Sequence, residues 1–425
     1  MTLRILVAPS GFKECLHAWD VAGAIADGVR RALPSARVTS LPMTDGGEGF
    51  TRAFVAATGG KLIEVGAVTG LDGRPVEAEI GFLGGEVRRT AVIEIASAAG
   101  LRLVSPPERN VADATSFGVG ELIAKALDLG AEAILIGCGD SGVNDGGAGI
   151  AAALGARLLD AKGREIARGG AALVDVKRID LTGLDPRMAG VRIEVAVNWQ
   201  NALLGAEGVT RVYGPQKGAT SDEIEIIERG LASYATAIRR ATNVDVAQLP
   251  GAGASGGIGA TLAGLLGATL RPRFDIITRY MDFDRHLDDA DLVITAEGRL
   301  DRQSAKGKIP GEIGVRARER GTPVFVLAGA IGDGAEDVLD HGVTAYASIA
   351  SGPSTLAEAM AETEKRLEAA AGQLVRVFAA ARTTTRAKVS SPGWRQSSRC
   401  AKNQVMSVLY FICPYLVDTS RMGWL

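Results

Sequence analysis

The side chains able to do chemistry in this 425-residue chain gather in polar, glycine-rich segments, most of which follow short apolar runs. Ala8-Pro9-Ser10-Gly11-Phe12-Lys13-Glu14 opens from Ile5-Leu6-Val7, which places Lys13 to meet an anion at the carboxyl edge of a sheet, with an exposed lysine on an ordinary turn as the alternative. Thr44-Asp45-Gly46-Gly47-Glu48-Gly49 sets two carboxylates among three glycines. Consecutive glycines let backbone approach a ligand closely, and Asp45 and Glu48 offer the oxygen ligands that a hard cation such as Mg²⁺ prefers when it bridges carboxylate to phosphate. A solvated structural turn is the competing reading.

The loop from Gly137 to Gly149 follows the run Ala133-Ile134-Leu135-Ile136. It offers an anion backbone N–H groups around Gly139 and Ser141, with Asn144 and Asp145 as side-chain ligands. Within it Gly137, Gly139 and Gly142 match a dinucleotide-binding fingerprint, and Asp160 follows where a ribose ligand would stand. A nicotinamide-dependent oxidoreductase of a small hydroxy acid therefore stays open. Against it, Asn144-Asp145-Gly146-Gly147 prolongs the polar loop where a helix should begin. A second match, through Gly251, Gly253 and Gly256, shows how weak the pattern is in a chain with 55 glycines. That loop reads equally as a phosphate cradle or as close helix packing. No Gly-x-x-x-x-Gly-Lys-Ser/Thr occurs, which disfavours a P-loop nucleotidase.

From Asp291 to Lys308 a strand-like run opens into Glu297, Arg299, Asp301, Gln303 and Lys308. Phosphoryl transfer uses this mixture, because cations neutralise the migrating group while an acid positions metal or accepts the nucleophile's proton. A surface salt-bridge cluster is the alternative. His17, His286 and His341 sit in no triad-like setting.

The elements that must position these loops read as α/β. Residues 5–8, 133–136, 292–295 and 324–328 predict buried parallel strands. Helices are expected at about 18–32, 115–129, 146–155, 221–241, 258–268, 305–320 and 355–380, with Thr220, Ser221 and Thr355 as capping residues. Between 62 and 90 the pattern alternates, as in a hairpin turning at Leu71-Asp72-Gly73-Arg74. These shifts divide the chain into a discontinuous first domain, 1–65 plus 281–381, an inserted second domain, 66–280, and a tail, 382–425, with a ligand cleft expected between the domains.

The tail is distinct in composition: it holds seven Lys/Arg and one Asp, whereas the remainder carries 40 positive and 48 negative charges. It is expected to be poorly ordered, with a surface- or partner-binding segment as the alternative. A formal net charge of -2 gives no footprint for nucleic acid, and no stretch of about 20 uncharged apolar residues suits a membrane span. Four cysteines without a CxxC or a Cys/His spacing signal neither disulfides nor zinc. With no leader pattern at the N-terminus, a cytoplasmic protein is expected.

Taken in order, residues 8–13, 45–49, 139–147, 214–219 and 291–308 resemble the recurrent motifs of the type-1 glycerate kinase family, and the similarity runs over roughly residues 3–380. The resemblance implies a Rossmann-like parallel-sheet domain with a second inserted α/β domain. It also implies transfer of a phosphoryl group from ATP, with Mg²⁺, to D-glycerate. The C2 hydroxyl is the expected acceptor, giving 2-phosphoglycerate, and the C3 hydroxyl, giving 3-phosphoglycerate, is the alternative. On this reading Lys13, Arg299 or Lys308 grips the glycerate carboxylate or the moving phosphoryl, and Asp45 and Glu48 are the candidates for Mg²⁺, directly or through water. Asp145 or Asp301 orients and deprotonates the hydroxyl. Lys217, in Gly214-Pro215-Gln216-Lys217-Gly218, approaches nucleotide phosphate, alongside Gly139, Ser141, Asn144, Gly253 and Gly256. The chain departs from the family pattern at Ser10-Gly11, Ser141-Gly142-Val143 and Ser304. It departs further at Asn198, where the family carries an aspartate, so a charge is missing from that loop. A non-catalytic sugar-acid sensor is a further rival, and a homodimer remains as open as a monomer.

Overall fold

The structure is a computed structural model that describes residues 2–389 apart from 13, 14, 45, 86, 87 and 306. The expected basic tail lies outside the described residues from 390 onward. The described chain forms two compact α/β units, one comprising residues up to Pro42 together with those from His286, the other Met43–Arg285.

In the first unit five strands form one all-parallel sheet in the order Ala345–Ser348, Val324–Ile331, Leu292–Leu300, Arg4–Val7, Arg37–Ser40. Its central strands are apolar on both faces because both faces are covered. Ile5, Val7, Leu292 and Ile294 meet Val21, Ile25 and Val29 of helix Ala18–Ala32 and Leu367, Ala371 and Val375 of helix Thr363–Val389. Helix Ile309–Arg320 packs on strands Leu292–Leu300 and Val324–Ile331. The strand–helix alternation is the Rossmann-like pattern. The helix expected over 355–380 is broken at Glu362 into Leu356–Ala361 and Thr363–Val389, and the second piece runs past the expected boundary at 381.

The second unit holds a six-stranded sheet in the order Thr269–Pro272, Arg192–Val197, Ala133–Gly137, Thr90–Glu94, Pro75–Phe82, Lys61–Thr69. The first four strands are parallel; the last two form the antiparallel hairpin that the alternating pattern predicts. Helices Phe117–Asp128, Ala148–Ala153, Ser221–Thr242 and Ala254–Gly264 bury Leu122, Ile150, Leu231, Tyr234 and Ile258 in one core with Ile93, Ile136 and Val195 of the sheet. Helix Ser221–Thr242 begins where predicted because Thr220 and Glu223 close a capping box.

The compact units divide after Pro42 and after Arg285, whereas the sequence pattern placed the boundaries at 65/66 and 280/281. Packing accounts for the first difference. Helix Phe50–Thr58 contacts strands Lys61–Thr69, Pro75–Phe82 and Thr90–Glu94, and the Phe50 ring fills the space beside Gly137, so the 46–49 segment belongs to the second unit. Among the described residues no helix is long and apolar enough to cross a membrane.

Close helix packing in the first unit gives a direct test. A Cβ on Gly28 would overlap the backbone carbonyl of Glu368, whereas a Cβ on Gly23, in the same helix, would meet nothing within 4 Å. Gly28→Ala is expected to destabilise by about 1–3 kcal/mol through overpacking. Gly23→Ala should be neutral or stabilising by up to about 1 kcal/mol. Urea denaturation followed by circular dichroism separates the two, and equal effects would contradict the packing described.

Candidate active site

The second unit gathers its glycine-rich loops at the carboxyl ends of its parallel strands. After strand Ala133–Gly137 the chain runs through Cys138 to Gly147 before helix Ala148–Ala153 begins. Asp145, fully buried, anchors this loop. Its Oδ2 accepts from the Ser116 N–H (2.8 Å), the Ser116 hydroxyl (2.8 Å) and the Gly149 N–H (3.2 Å), and its Oδ1 accepts from the Gly147 N–H (3.0 Å). The carboxylate thereby ties the starts of two helices, Phe117–Asp128 and Ala148–Ala153, where negative charge is favoured. Burial raises its pKa, and the four hydrogen bonds oppose that rise.

Lys217 is buried against the same loop. Its Nζ donates to the Val143 carbonyl (2.7 Å), Asn144 Oδ1 (2.8 Å) and Ser141 Oγ (3.2 Å). These are three acceptors for the three N–H bonds of an ammonium. Burial draws its pKa down to about 7, against the opposing pull of Asp145.

Two further loops interlock with this one through glycine. The Glu48 N–H donates to Asp140 Oδ2 (3.2 Å), a Cβ on Gly47 would overlap the Asp140 carboxylate, and a Cβ on Gly139 would overlap the Gly47 backbone. From the other side Gly256, at φ +73°, lies against the Val143 carbonyl and Asn144 Oδ1, and its own carbonyl accepts from the Gly146 N–H (3.0 Å). Below the 46–49 segment sits Glu94, largely buried at the end of strand Thr90–Glu94. It accepts from the N–H groups of Gly49 and Thr51 at the start of helix Phe50–Thr58. Burial, with Glu79 and Glu48 nearby, pushes its pKa up to about 7.

In the first unit, the carboxyl end of strand Leu292–Leu300 carries a second charged group. Lys308, the residue before helix Ile309–Arg320, lies 3.8 Å from buried Glu297 and 3.6 Å from Asp301. Asp301 also lies 3.6 Å from Arg299 and accepts from the Gln303 N–H (2.9 Å), while Ser304 Oγ accepts from the Asp301 N–H (3.1 Å). Alongside, Ser10 donates through both its N–H and its hydroxyl to the Ala296 carbonyl, each at 2.9 Å.

The structure thus groups Gly139, Ser141, Asn144, Asp145, Lys217, Gly256 and Glu48 in the second unit, and Arg299, Asp301 and Lys308 in the first. Lys13 and Asp45 lie outside the described residues. Asp145, expected as a proton acceptor, has four donors on its two oxygens and no exposed surface. Lys217, expected at a phosphate, gives its three donors to the 141–144 loop. Gly253 packs on the Ala202 carbonyl, and its N–H donates to the Asn201 carbonyl (3.1 Å), the close-packing alternative for that loop. Glu48, expected at Mg²⁺, pairs with Arg102 at 2.6 Å. Among the described residues no group of three or more His, Cys, Asp or Glu could hold a metal ion. An ion brought in on phosphate oxygens, keeping several waters and needing one or two carboxylates, fits that sparse donor set. Asn198 receives the Gln200 N–H (3.2 Å) in a local turn.

The dinucleotide reading lacks its geometry. The helix after the fingerprint begins at Ala148, not at Gly142. Asp160 closes its own turn, accepting from the Lys162 N–H (2.8 Å), the Arg164 N–H (2.9 Å) and the Arg164 guanidinium. Sequence reasoning passed over Glu94 and Ser116 and named Glu297 only as one of the charged residues of the 291–308 segment. For Glu94 a signal existed, one acid closing the apolar run Ala91-Val92-Ile93.

Comparison with known proteins adds an independent observation. The model of a family described as the glycerate kinase family matches residues 5–379. A glycerate kinase of Bacillus subtilis (strain 168) is 42% identical over 381 residues, covering 90% of this chain and 99% of the relative. A glycerate 2-kinase of Escherichia coli (strain K12) is 44% identical over 357 residues, covering 84% and 93%. A crystal structure from Salmonella typhimurium LT2, named for glycerate kinase 2, superposes with a TM-score of 0.73 at 42% identity over 90% of this chain and 99% of that one.

Glu94 makes the second unit sensitive to pH. Its pKa rises from an ordinary 4.5 to about 7 on folding, so the folded state binds the proton more tightly than the unfolded one. The stability this contributes is complete below about pH 4.5 and is lost as pH rises through 7. Glu94→Gln removes that loss, so relative to wild type the variant should gain about 2 kcal/mol between pH 5 and 8 in urea denaturation. A difference independent of pH would contradict the assignment.

Proposed function

The chain belongs to the glycerate kinase family, and from that membership we propose that it transfers the γ-phosphoryl group of ATP to the C2 hydroxyl of D-glycerate, releasing 2-phosphoglycerate and ADP. The observation that carries the reading is the nearly end-to-end match to proteins named for glycerate phosphorylation, one of them for the 2-position.

The residues fit the demands of the reaction. A phosphoryl group in flight bears negative charge on its peripheral oxygens, so the protein's task is to place cations and donors around it. Arg299 and Lys308 supply cations, and Lys308 stands at the start of a twelve-residue helix whose dipole acts in the same sense. Asp301 takes the proton of the glycerate hydroxyl as the new O–P bond forms and the bond to the ADP oxygen breaks. It takes this role rather than Asp145, whose oxygens are already filled. Lys13 grips the substrate carboxylate. The donors of the Gly139–Asn144 loop receive nucleotide phosphate, while Asp145, Gly253 and Gly256 hold the loops in shape. Mg²⁺, when bound with the nucleotide, would neutralise phosphate charge, and on this reading Asp45 and Glu48 would hold it. The free thiols of Cys15 and Cys138 suit a reducing, cytoplasmic setting. Neither the oxidoreductase nor the sensor reading has a comparable observation behind it.

ADP release that depends on glycerate, with the product identified as 2- rather than 3-phosphoglycerate by phosphorus NMR, is the expected result. Asp301→Asn and Lys13→Ala should each lower turnover by about tenfold or more while leaving the circular dichroism spectrum intact. Near wild-type rates would remove either residue from the site, and glycerate-independent ATP hydrolysis alone would overturn the substrate assignment.

A further inference from the structure

The hydrogen bonds of Lys217 have a polarity that the two side chains they reach must obey. The Val143 carbonyl and Asn144 Oδ1 can only accept, so Lys217 Nζ donates to both whether it is an ammonium or an amine. Asn144 must therefore turn its carbonyl oxygen to Lys217 Nζ (2.8 Å), which fixes the amide and sends Nδ2 the other way. When Lys217 is an ammonium, Ser141 accepts from it through Oγ (3.2 Å), so the serine's own hydrogen points away. Asn144 is fully buried, and its Nδ2 has no hydrogen-bond partner. A buried amide donor left without an acceptor costs free energy that an arriving acceptor recovers. A Cβ on Gly256 would lie 2.7 Å from Asn144 Oδ1, so only glycine lets that backbone pass this close to the amide. Asp145, the nearest opposing charge, is committed to Ser116, Gly147 and Gly149, so it does not offer these donors an acceptor.

Resting on the kinase reading, we propose that Lys217 is a positioning residue that turns Ser141 and Asn144 into a donor-only receptor for an anionic oxygen of the nucleotide's phosphate chain, without touching the nucleotide itself. Gly139 and Asp140 of the same loop are partly exposed, whereas Ser141 and Asn144 are buried. The arrangement explains why a lysine is buried in a position where its three donors are all taken by protein. Its work is to set the direction of two other donors.

The test is calorimetric binding of ADP and of inorganic tripolyphosphate to the full chain and its variants, alongside KM for ATP and for D-glycerate. Lys217→Met should weaken both ligands by about tenfold or more and raise KM for ATP, leaving KM for glycerate within about twofold. Lys217→Arg, which keeps charge and donors, should recover part of the loss. A folded Lys217→Met that binds both ligands as wild type does would overturn the proposal, as would equal loss of affinity for ATP and glycerate. If Lys217→Met does not fold, Asn144→Asp and Ser141→Ala decide. The former, which replaces the donor with a charge that repels phosphate, should lose more affinity than the latter, and wild-type ADP binding in both would overturn the proposal. Failure of the kinase reading would show separately, as wild-type protein that binds tripolyphosphate yet releases no ADP with glycerate.

Discussion

The second unit is organised around a buried carboxylate and a buried lysine amine that hold one loop. Asp145 takes four hydrogen bonds and pins the loop to two helix starts; Lys217 gives three and fixes the carbonyl and side chains preceding it. Either charge buried alone would be costly. Each is tolerable here because its hydrogen-bonding capacity is filled and because the other lies near. The loop that results has little freedom left, and a ligand that binds it need not order it first.

Glycine makes that rigidity compatible with close approach. At Gly47, Gly139 and Gly256 a side chain would collide with a carboxylate or a backbone atom of a neighbouring loop, so three segments distant in sequence interlock at backbone level. The many glycines of these loops therefore serve protein-to-protein contact at least as much as any ligand, which is why isolated matches to glycine fingerprints mislead in this chain. Asp160 carries the same lesson, since an acid at a suggestive distance from such a fingerprint closes a turn with Arg164.

Much of this was legible in the residue pattern. The buried parallel strands at 5–8, 133–136, 292–295 and 324–328 and the hairpin before residue 90 announce themselves because uniform apolar runs and strict alternation have different burial requirements. Helix Ser221–Thr242 is legible from its capping residues. The polar, glycine-rich loops stand out by their composition, and five segments in order carry the family resemblance. What the pattern does not encode is which group each polar atom meets. Asp145 reads as a catalytic acid and is a buried tie. Lys217 reads as a phosphate ligand and is turned toward Ser141, Val143 and Asn144. The boundary after Pro42 depends on where the Phe50 ring packs, a long-range contact invisible to local periodicity. Glu94 was missed because a single acid at the end of an apolar strand looks like the strand's edge.

On this account the 138–149 loop is held in one shape before any ligand arrives. Amide hydrogen exchange resolved to single residues tests it most directly. The account predicts slow exchange at Gly147 and Gly149 in the free protein, because their N–H groups are held by buried Asp145, with added protection at 139–144 when ADP binds. Fast exchange at both glycines in the free protein, becoming slow only with ADP, would show a loop ordered by its ligand and contradict the account.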